Sequence, residues 1–413
     1  MADLSVKSLG LQNPFVIAAS PATQGAYAVL KSASAHPGAV TMRNFGHGAG
    51  DGSLVLPSTA DLRTGKPAMQ SHALGARLSD PFDSLDDYCA AVAHVRREMP
   101  PEVKLWVSIG HFHDLITPGR DWRRDWVREA IEVERAGANA LELHFNTPGV
   151  VVVGGRLFDF YRLITTVTKT IKRAVHIPVV VKLPVESCDP LRAMEAALHG
   201  GADAIGPTAR WKGFVFDLDW RRSRATPGGG YGGSDALPVI SYVVAEARLN
   251  GIELPMYAGG GVFSWEAAAK LIMAGSECVQ LGSFACCLGP RAVAKLIAGF
   301  AAWIDKAGYA DIEALRGEAL HLLTMSPEVA DNRRSKLSTA YRAAQTIPDR
   351  CTGCEQCQDV CWYNAISMQD GLAVKSDACV GCGYCFQVCP TGALEVPAGD
   401  ILASTYESAN HES

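Results

Sequence analysis

No run of apolar residues in this chain is long enough to cross a bilayer, and its start, Met1-Ala2-Asp3-Leu4, has neither the positive flank nor the apolar stretch of an export signal. The expectation is a cytoplasmic protein that engages no membrane. No block of basic residues is present and the net charge is −5, so a phosphate backbone has little to hold it and nucleic acid is not an expected partner. A strand running into a glycine-rich turn of the dinucleotide-binding kind is also missing, because the first candidate strand ends in Ala18-Ala19-Ser20-Pro21. That absence argues against an open doubly wound sheet and against a nicotinamide site within the chain. What remains is 413 residues, 48% of them apolar, too long for one ordinary core and suited to two or three domains or one large barrel with an appendage.

Cysteine, by contrast, is concentrated. Eight of the 13 cysteines form two runs, Cys351, Cys354, Cys357, Cys361 and Cys379, Cys382, Cys385, Cys389, and both read C-x2-C-x2-C-x3-C. Three thiolates at that spacing wrap one face of an iron–sulfur cube while the fourth reaches across to the other cube. The spacing therefore predicts two [4Fe-4S] clusters, one on Cys351, Cys354, Cys357 and Cys389, the other on Cys379, Cys382, Cys385 and Cys361. Zinc sites generally use pairs of cysteines instead of triplets, and disulfide frameworks belong to secreted chains. Pro390 follows the second run whereas Trp362 follows the first, a minor departure because proline is not a ligand. Cys89, Cys188, Cys278, Cys286 and Cys287 sit in apolar or helical surroundings and read as buried hydrophobes.

Upstream, short apolar runs alternate with helical periods, the pattern of repeated βα units. Candidate strands are Phe15–Ala19, Ala39–Arg43, Lys104–Ile109, Ala140–Phe145, Val179–Leu183, Ala204–Pro207, Met256–Ala258 and Cys278–Leu281, and eight strands predict a (β/α)8 barrel. Helical periods are expected at Ser84–Glu98, Trp122–Ala136, Phe158–Val175, Pro190–His199, Ala236–Leu249 and Ser264–Met273, with Ser264 as a cap. The stretch from Gly46 to Asp80, rich in Gly, Ser and Pro, reads as a lid or an interaction loop, and helices Ala292–Lys306 and Ile312–Thr324 are expected to close the barrel. The fold class is α/β: a TIM barrel over 1–325, a linker over 326–348, and a two-cluster ferredoxin-like domain with a tail over 349–413.

A barrel of this kind builds its site at the C-terminal strand ends and commonly holds phosphate in the loops after strands 7 and 8. Those ends read Ala258-Gly259-Gly260-Gly261 and Leu281-Gly282-Ser283. Backbone amides there can approach a phosphate closely, and a helix start beyond them adds its dipole. The glycine run Gly228 to Gly233, with Gly232 and Gly233 as candidate contacts, could close over the same phosphate. Tight-turn glycines are the plainer alternative.

With these residues in place the chain resembles the FMN-containing dihydroorotate dehydrogenase-like barrels, most closely the iron–sulfur catalytic subunits of bacterial NAD-dependent dihydropyrimidine dehydrogenases. The resemblance runs from Asn13-Pro14-Phe15 with Ala19-Ser20-Pro21, through Lys182, Gly201-Ala202-Asp203, Gly259-Gly260-Gly261 and Gly282-Ser283, to the cysteine runs. It implies FMN, with Ala19, Ser20, Arg43, Asn44 and the glycine loops as contacts, and Lys182 stabilising the negative charge of the reduced ring.

The substrate half departs from the family. Arg43-Asn44 stands where members commonly carry a lysine after strand 2, His144-Phe145-Asn146-Thr147-Pro148 where they carry Asn-x-Ser-Cys-Pro, and Ala209-Arg210, beside Trp211, where an Asn-Thr pair meets the pyrimidine. The loop from Gly149 to Gly155 offers no titratable side chain in place of the usual Cys or Ser acid. A uracil or orotate ring would lose several hydrogen bonds, which points to another substrate. New titratable groups stand at the same rim: His111 and His113 after strand 3 and His144 at the end of strand 4. His144 is the first choice for general acid and His113 the second, with His111 and Asn146 lining the substrate; a three-histidine metal site is the weaker alternative. Arg210 suits an anionic substituent and Trp211 could stack on a ring.

The sequence thus predicts an FMN and iron–sulfur oxidoreductase acting on a carbon–carbon bond of a small unsaturated, cyclic, anionic compound. Alternatives are a dihydropyrimidine dehydrogenase proper and an electron-transfer subunit without substrate chemistry. Resemblance implies a flavoprotein partner that oxidises NAD(P)H, or a ferredoxin, as electron donor or acceptor, and assembly as a homodimer or heterotetramer.

Overall fold

The computed structural model describes residues 2–45, 82–110, 121–145, 159–184, 188–208, 211, 233–323 and 345–395, and the backbone of short strands at 54–57, 71–74, 152–153, 156–157, 212–214 and 228–231. The chain forms two compact units, Met1–Leu320 and His321–Ser413.

The first unit is a barrel of eight parallel strands: β1 (Phe15–Ile17), β2 (Ala39–Met42), β3 (Lys104–Ile109), β4 (Ala140–His144), β5 (Val179–Lys182), β6 (Ala204–Gly206), β7 (Tyr257–Gly259) and β8 (Cys278–Leu281). They pair in the order β6-β5-β4-β3-β2-β1-β8-β7. The ring closes between β6 and β7 through the bridge Ile205–Met256 and the bond from Ile205 N–H to Pro255 O, 2.8 Å. Met256 thus serves the closure, and regular pairing of β7 begins one residue later than the sequence suggests.

Period-two alternation sorts each strand into two faces. Val16, Ala39, Trp106, Ala140, Val180, Ala204, Tyr257 and Cys278 form the floor of the barrel interior. Phe15, Ile17, Val40, Leu105, Leu141, Val181, Val279 and Leu281 instead pack outward in the larger core that the helices cover. Each such side chain buried in full stabilises the fold by roughly 1.5–3 kcal/mol.

The covering helices are α1 (Gly25–Ala33), α2 (Leu85–Glu98), α3 (Trp122–Arg135), α4 (Phe160–Lys172), α5 (Pro190–His199), α6 (Leu237–Leu249), α7 (Trp265–Met273) and α8 (Ser283–Ala307). Side chains of Ser84, Asp159, Asp189 and Ser264 accept the N-terminal amide bonds of α2, α4, α5 and α7, as the sequence predicts for Ser264. Helix α8 corrects two expectations. It is long and apolar enough, by length and composition, to cross a bilayer. Its helical geometry breaks at Gly289, φ 72°, ahead of Pro290, and Phe284, Val293, Leu296, Phe300 and Ile304 are buried. Its first turns begin at Ser283, where the sequence reading began only at Ala292. The expected helix Ile312–Thr324 is a single turn, Ile312–Leu315, followed by a 3-10 turn at Leu320–Leu322.

Two stretches read as loops contain paired strands. Within Gly46–Asp80, Leu54–Pro57 pairs antiparallel with Ser71–Leu74. The glycine run Gly228–Tyr231 pairs with Trp211–Phe214.

The second unit has a small core of Cys357, Ile366, Ala373 and Leu394, with a hairpin of Ile366–Gln369 and Leu372–Lys375.

Candidate functional site

At the C-terminal ends of the strands the barrel interior turns from apolar to charged. Lys182 ends β5 and is 7% exposed, with Nζ 3.5 Å from Oε2 of the fully buried Glu142 on β4. Tyr257 on β7 donates its hydroxyl to the same oxygen at 3.0 Å, and burial together with the Glu142 carboxylate holds that phenol well above its usual range. Register places His144 directly across from Lys182, and His144 is half-buried.

Around this centre the strand ends are fixed by local bonds. Asn44, buried after β2, donates Nδ2 to Gly110 O at 2.8 Å. Arg43 donates Nη1 to Gln24 Oε1 at 2.8 Å, while its backbone carbonyl accepts from Tyr88 Oη at 2.9 Å. Ser20 Oγ accepts from Ala22 N–H and Thr23 Oγ1 accepts from Ser20 N–H, a reciprocal cap that fixes the turn after β1 beside Ala19.

The two glycine turns differ in what they need. A Cβ on Gly261, φ 79°, would lie 2.4 Å from Leu237 N, and one on Gly259 would lie 2.6 Å from Gln280 Cβ, so packing alone demands glycine there. At Gly282 a Cβ would meet only Ala18 Cβ at 3.9 Å, and its φ of −94° suits any residue. The space kept clear at Gly282 opens at the start of α8, beside Ser283. Thr208 Oγ1 braces the other turn by donating to Gly259 O at 2.6 Å and accepting from Gly259 N–H at 3.0 Å. This donor set, amides at a helix start with a buried ammonium at the same end of the barrel, fits the phosphate and ring of FMN.

His111, His113, Asn146, Arg210 and Gly232 lie outside the described residues. Trp211 is half-buried and pairs with Tyr231; Gly233 is buried. Sequence reasoning missed Thr208, Glu142 and Tyr257. The signal for Glu142 was present: a lone charge between Leu141 and Leu143 in an otherwise apolar strand.

In the second unit the two cysteine runs fold alike. Gly353 and Glu355 in the first, and Gly381 and Gly383 in the second, take positive φ, and short helices Gln356–Asp359 and Tyr384–Val388 follow. The fourth cysteine of each run accepts an amide four residues on: Ala365 N–H to Cys361 Sγ at 3.3 Å and Ala393 N–H to Cys389 Sγ at 3.1 Å. One hollow is lined by Cys361, Cys379, Cys382 and Cys385 together with Tyr363 and Ile366. These are the four cysteines that the spacing assigns to one cube. Among the described residues no three His, Cys, Asp or Glu side chains converge as they would on a single metal ion; the thiolates of a cube bind separate irons.

Of the remaining cysteines, burial pushes the Cys89 and Cys188 thiols up to about 11 and raises Cys278 and Cys286 as well. Cys287 is exposed, contrary to its reading as a buried hydrophobe.

A parallel (β/α)8 barrel with glycine turns at the ends of β7 and β8, in one chain with a doubled cysteine module, defines the class. The chain belongs to the dihydroorotate dehydrogenase family, whose model, described as "Dihydroorotate dehydrogenase", matches residues 1–304. A model described as "4Fe-4S dicluster domain" matches residues 329–393. The catalytic subunit of dihydroorotate dehydrogenase B (NAD(+)) from Methanosarcina acetivorans is 33% identical over 183 residues, 44% of this chain and 58% of that protein. Its counterpart from Alkaliphilus metalliredigens is 29% identical over 183 residues, 44% of this chain and 60% of that protein. Dihydroorotate dehydrogenase A (fumarate) from Lactobacillus helveticus is 27% identical over 277 residues, 65% of this chain and 86% of that protein. The chain thus spans 58% and 60% of the length of the first two relatives.

Proposed function

We propose that this protein is an FMN and iron–sulfur oxidoreductase that forms or removes a carbon–carbon double bond in a small, cyclic, anionic compound. The observation that carries the reading is Lys182, a nearly buried ammonium at the C-terminal end of β5, on the same end of the barrel as the glycine turns of β7 and β8. Bound there, FMN would supply hydride exchange at one carbon of the substrate. The amides of Gly259, Gly260, Gly261, Gly282 and Ser283 would hold the phosphate, and Lys182 would face the ring. His144, across from Lys182, is the candidate to hold or move the proton at the neighbouring carbon, with His113 as the second candidate. Arg210 would pair with the anionic substituent, with Trp211, His111 and Asn146 around the ring of the substrate.

Two [4Fe-4S] clusters, on Cys351, Cys354, Cys357 and Cys389 and on Cys379, Cys382, Cys385 and Cys361, would carry electrons between the barrel and a flavoprotein subunit that oxidises NAD(P)H, or a ferredoxin. We place the protein in the cytoplasm as a homodimer or heterotetramer. Dihydroorotate is the compound named for the relatives; here the pyrimidine-binding positions differ, which favours another anionic ring.

The test is anaerobic purification followed by denaturation, with one FMN released per chain, and photoreduction followed by mixing with unsaturated compounds. Reoxidation by anionic ring compounds, but hardly by uracil or thymine, is the expected result. An Arg210→Ala change should weaken binding by about 2 kcal/mol or more, and His144→Ala should slow the chemical step about 100-fold or more. Rapid turnover of uracil would assign a dihydropyrimidine dehydrogenase. Failure of every compound to reoxidise the flavin would leave an electron-transfer subunit.

A further inference from the structure

Above its apolar floor, the barrel interior around Lys182 is polar where such barrels are usually filled by branched apolar side chains. Thr41, Ser108, Glu142, Lys182 and Gln280, all buried, occupy the inward-facing positions of β2, β3, β4, β5 and β8. Glu142 is the hub. Its Oε2 receives both the Tyr257 hydroxyl at 3.0 Å and the Lys182 ammonium at 3.5 Å, while its Oε1 has no partner among the described residues. Tyr257 is seated for this contact, because a Cβ on Gly206 would lie 2.8 Å from its Cζ.

A carboxylate this deeply buried is costly unless its charge is used, and removing one partner of such a pair leaves the other stranded. Resting on the FMN reading above, we propose that Glu142, held in place by Tyr257, is a positioning residue that sets where Lys182 stands and how much net positive charge reaches the ring. Lys182 alone would present a full charge, whereas with Glu142 it presents a dipole. The phenol spreads the carboxylate charge and so moderates that cancellation. Glu142 and the Tyr257 hydroxyl bonded to it therefore act on the ring with opposite sign.

Sulfite is the probe, since it adds to an oxidised flavin to give an anionic adduct whose stability rises with positive charge nearby. Glu142→Gln should tighten sulfite binding by about tenfold, the size expected for one buried charge near the ring. Tyr257→Phe should weaken it severalfold with flavin content unchanged, because the bare carboxylate repels the adduct more strongly. A purely structural role would move both variants the same way. Shifts of the same sign, or an unchanged dissociation constant in Glu142→Gln, would overturn the proposal. If Glu142→Gln does not fold, Tyr257→Phe decides alone, and unchanged or tighter sulfite binding counts against it.

Denaturant unfolding supplies an arm that needs no flavin. The double variant Glu142→Gln with Lys182→Met should unfold at a higher denaturant concentration than Glu142→Gln alone, because no cation is left stranded. Absence of flavin from the unmodified protein would refute the cofactor reading by itself. A double variant no more stable than the single one would refute the pairing of Glu142 with Lys182.

Discussion

Glu142 and Glu277 are both buried carboxylates, and the difference between them is how completely each is satisfied. Glu277 receives two bonds from Arg248, at 2.8 and 2.6 Å, and the Met256 amide at 2.6 Å, and Arg316 approaches to 3.3 Å. Arg248 in turn donates to the carbonyls of Gly275, Ile252 and Leu254. That network ties the segment before β7 to the segment before β8 and reads as structure. Burial pushes the Glu277 carboxyl up while Arg248, the Met256 amide and Arg316 pull it back, with a net upward shift. An Arg248→Met change should therefore cost about 3–5 kcal/mol at neutral pH. The sign of its pH dependence follows from the raised folded pKa. The folded state then binds the Glu277 proton more tightly than the unfolded one, so the contribution of Glu277 to stability is greatest below the ordinary carboxylate range and is lost as pH rises through the folded value. The check is the gap between the denaturant midpoints of the unmodified protein and Arg248→Met, which should widen from acid to neutral pH; a gap that narrows as pH rises would contradict it. At this scale the sequence displays single residues but not their partners. Lys182 stands out after Val179-Val180-Val181, whereas its link through Glu142 to Tyr257 joins residues 115 apart and exists only once the barrel closes.

Among the elements, strands and amphipathic helices were largely legible because their periods are local, and turns were not. The glycine turns look alike in sequence yet differ in structure. Gly261 is required by positive φ and by contact with Leu237, while at Gly282 only Ala18 lies within reach of an added methyl. Gly261→Ala should lower the denaturant midpoint of the barrel, since both strain and overlap oppose it. Gly282→Ala should leave that midpoint within the usual ±0.5 kcal/mol of a benign substitution and instead weaken FMN retention on gel filtration. Equal destabilisation by the two changes would mean that the Gly282 space serves packing. A helix start is expected beyond Ser283, but the six residues from Ser283 to Leu288 fall outside the expected helix Ala292–Lys306 because Gly289-Pro290 interrupts the period. They form the helix start that the phosphate reading requires.

The two units of the molecule rest on different physics. The barrel is held by a continuous core running through all eight strands and their helices. Among the described residues, the module after His321 has an apolar core of Cys357, Ile366, Ala373 and Leu394, and a core that small ordinarily needs a metal to hold it. The doubled cysteine spacing was the most legible feature of the sequence because cluster ligation fixes residue type and interval together, whereas the expected substrate residues come from several separate stretches of the sequence and carry no such code. If the clusters supply the module's stability, chelating the iron anaerobically should expose its chain to protease while the barrel resists. The expected product is a fragment ending near Leu320 that keeps its flavin. Cys354→Ala should act more gently, removing one cluster while the barrel retains FMN that still accepts chemically supplied electrons. Iron analysis, flavin content and the fragment mass read the outcome together. Loss of flavin in step with iron would show that the barrel mouth depends on the module, and survival of the module without iron would show that its folding does not rest on cluster ligation.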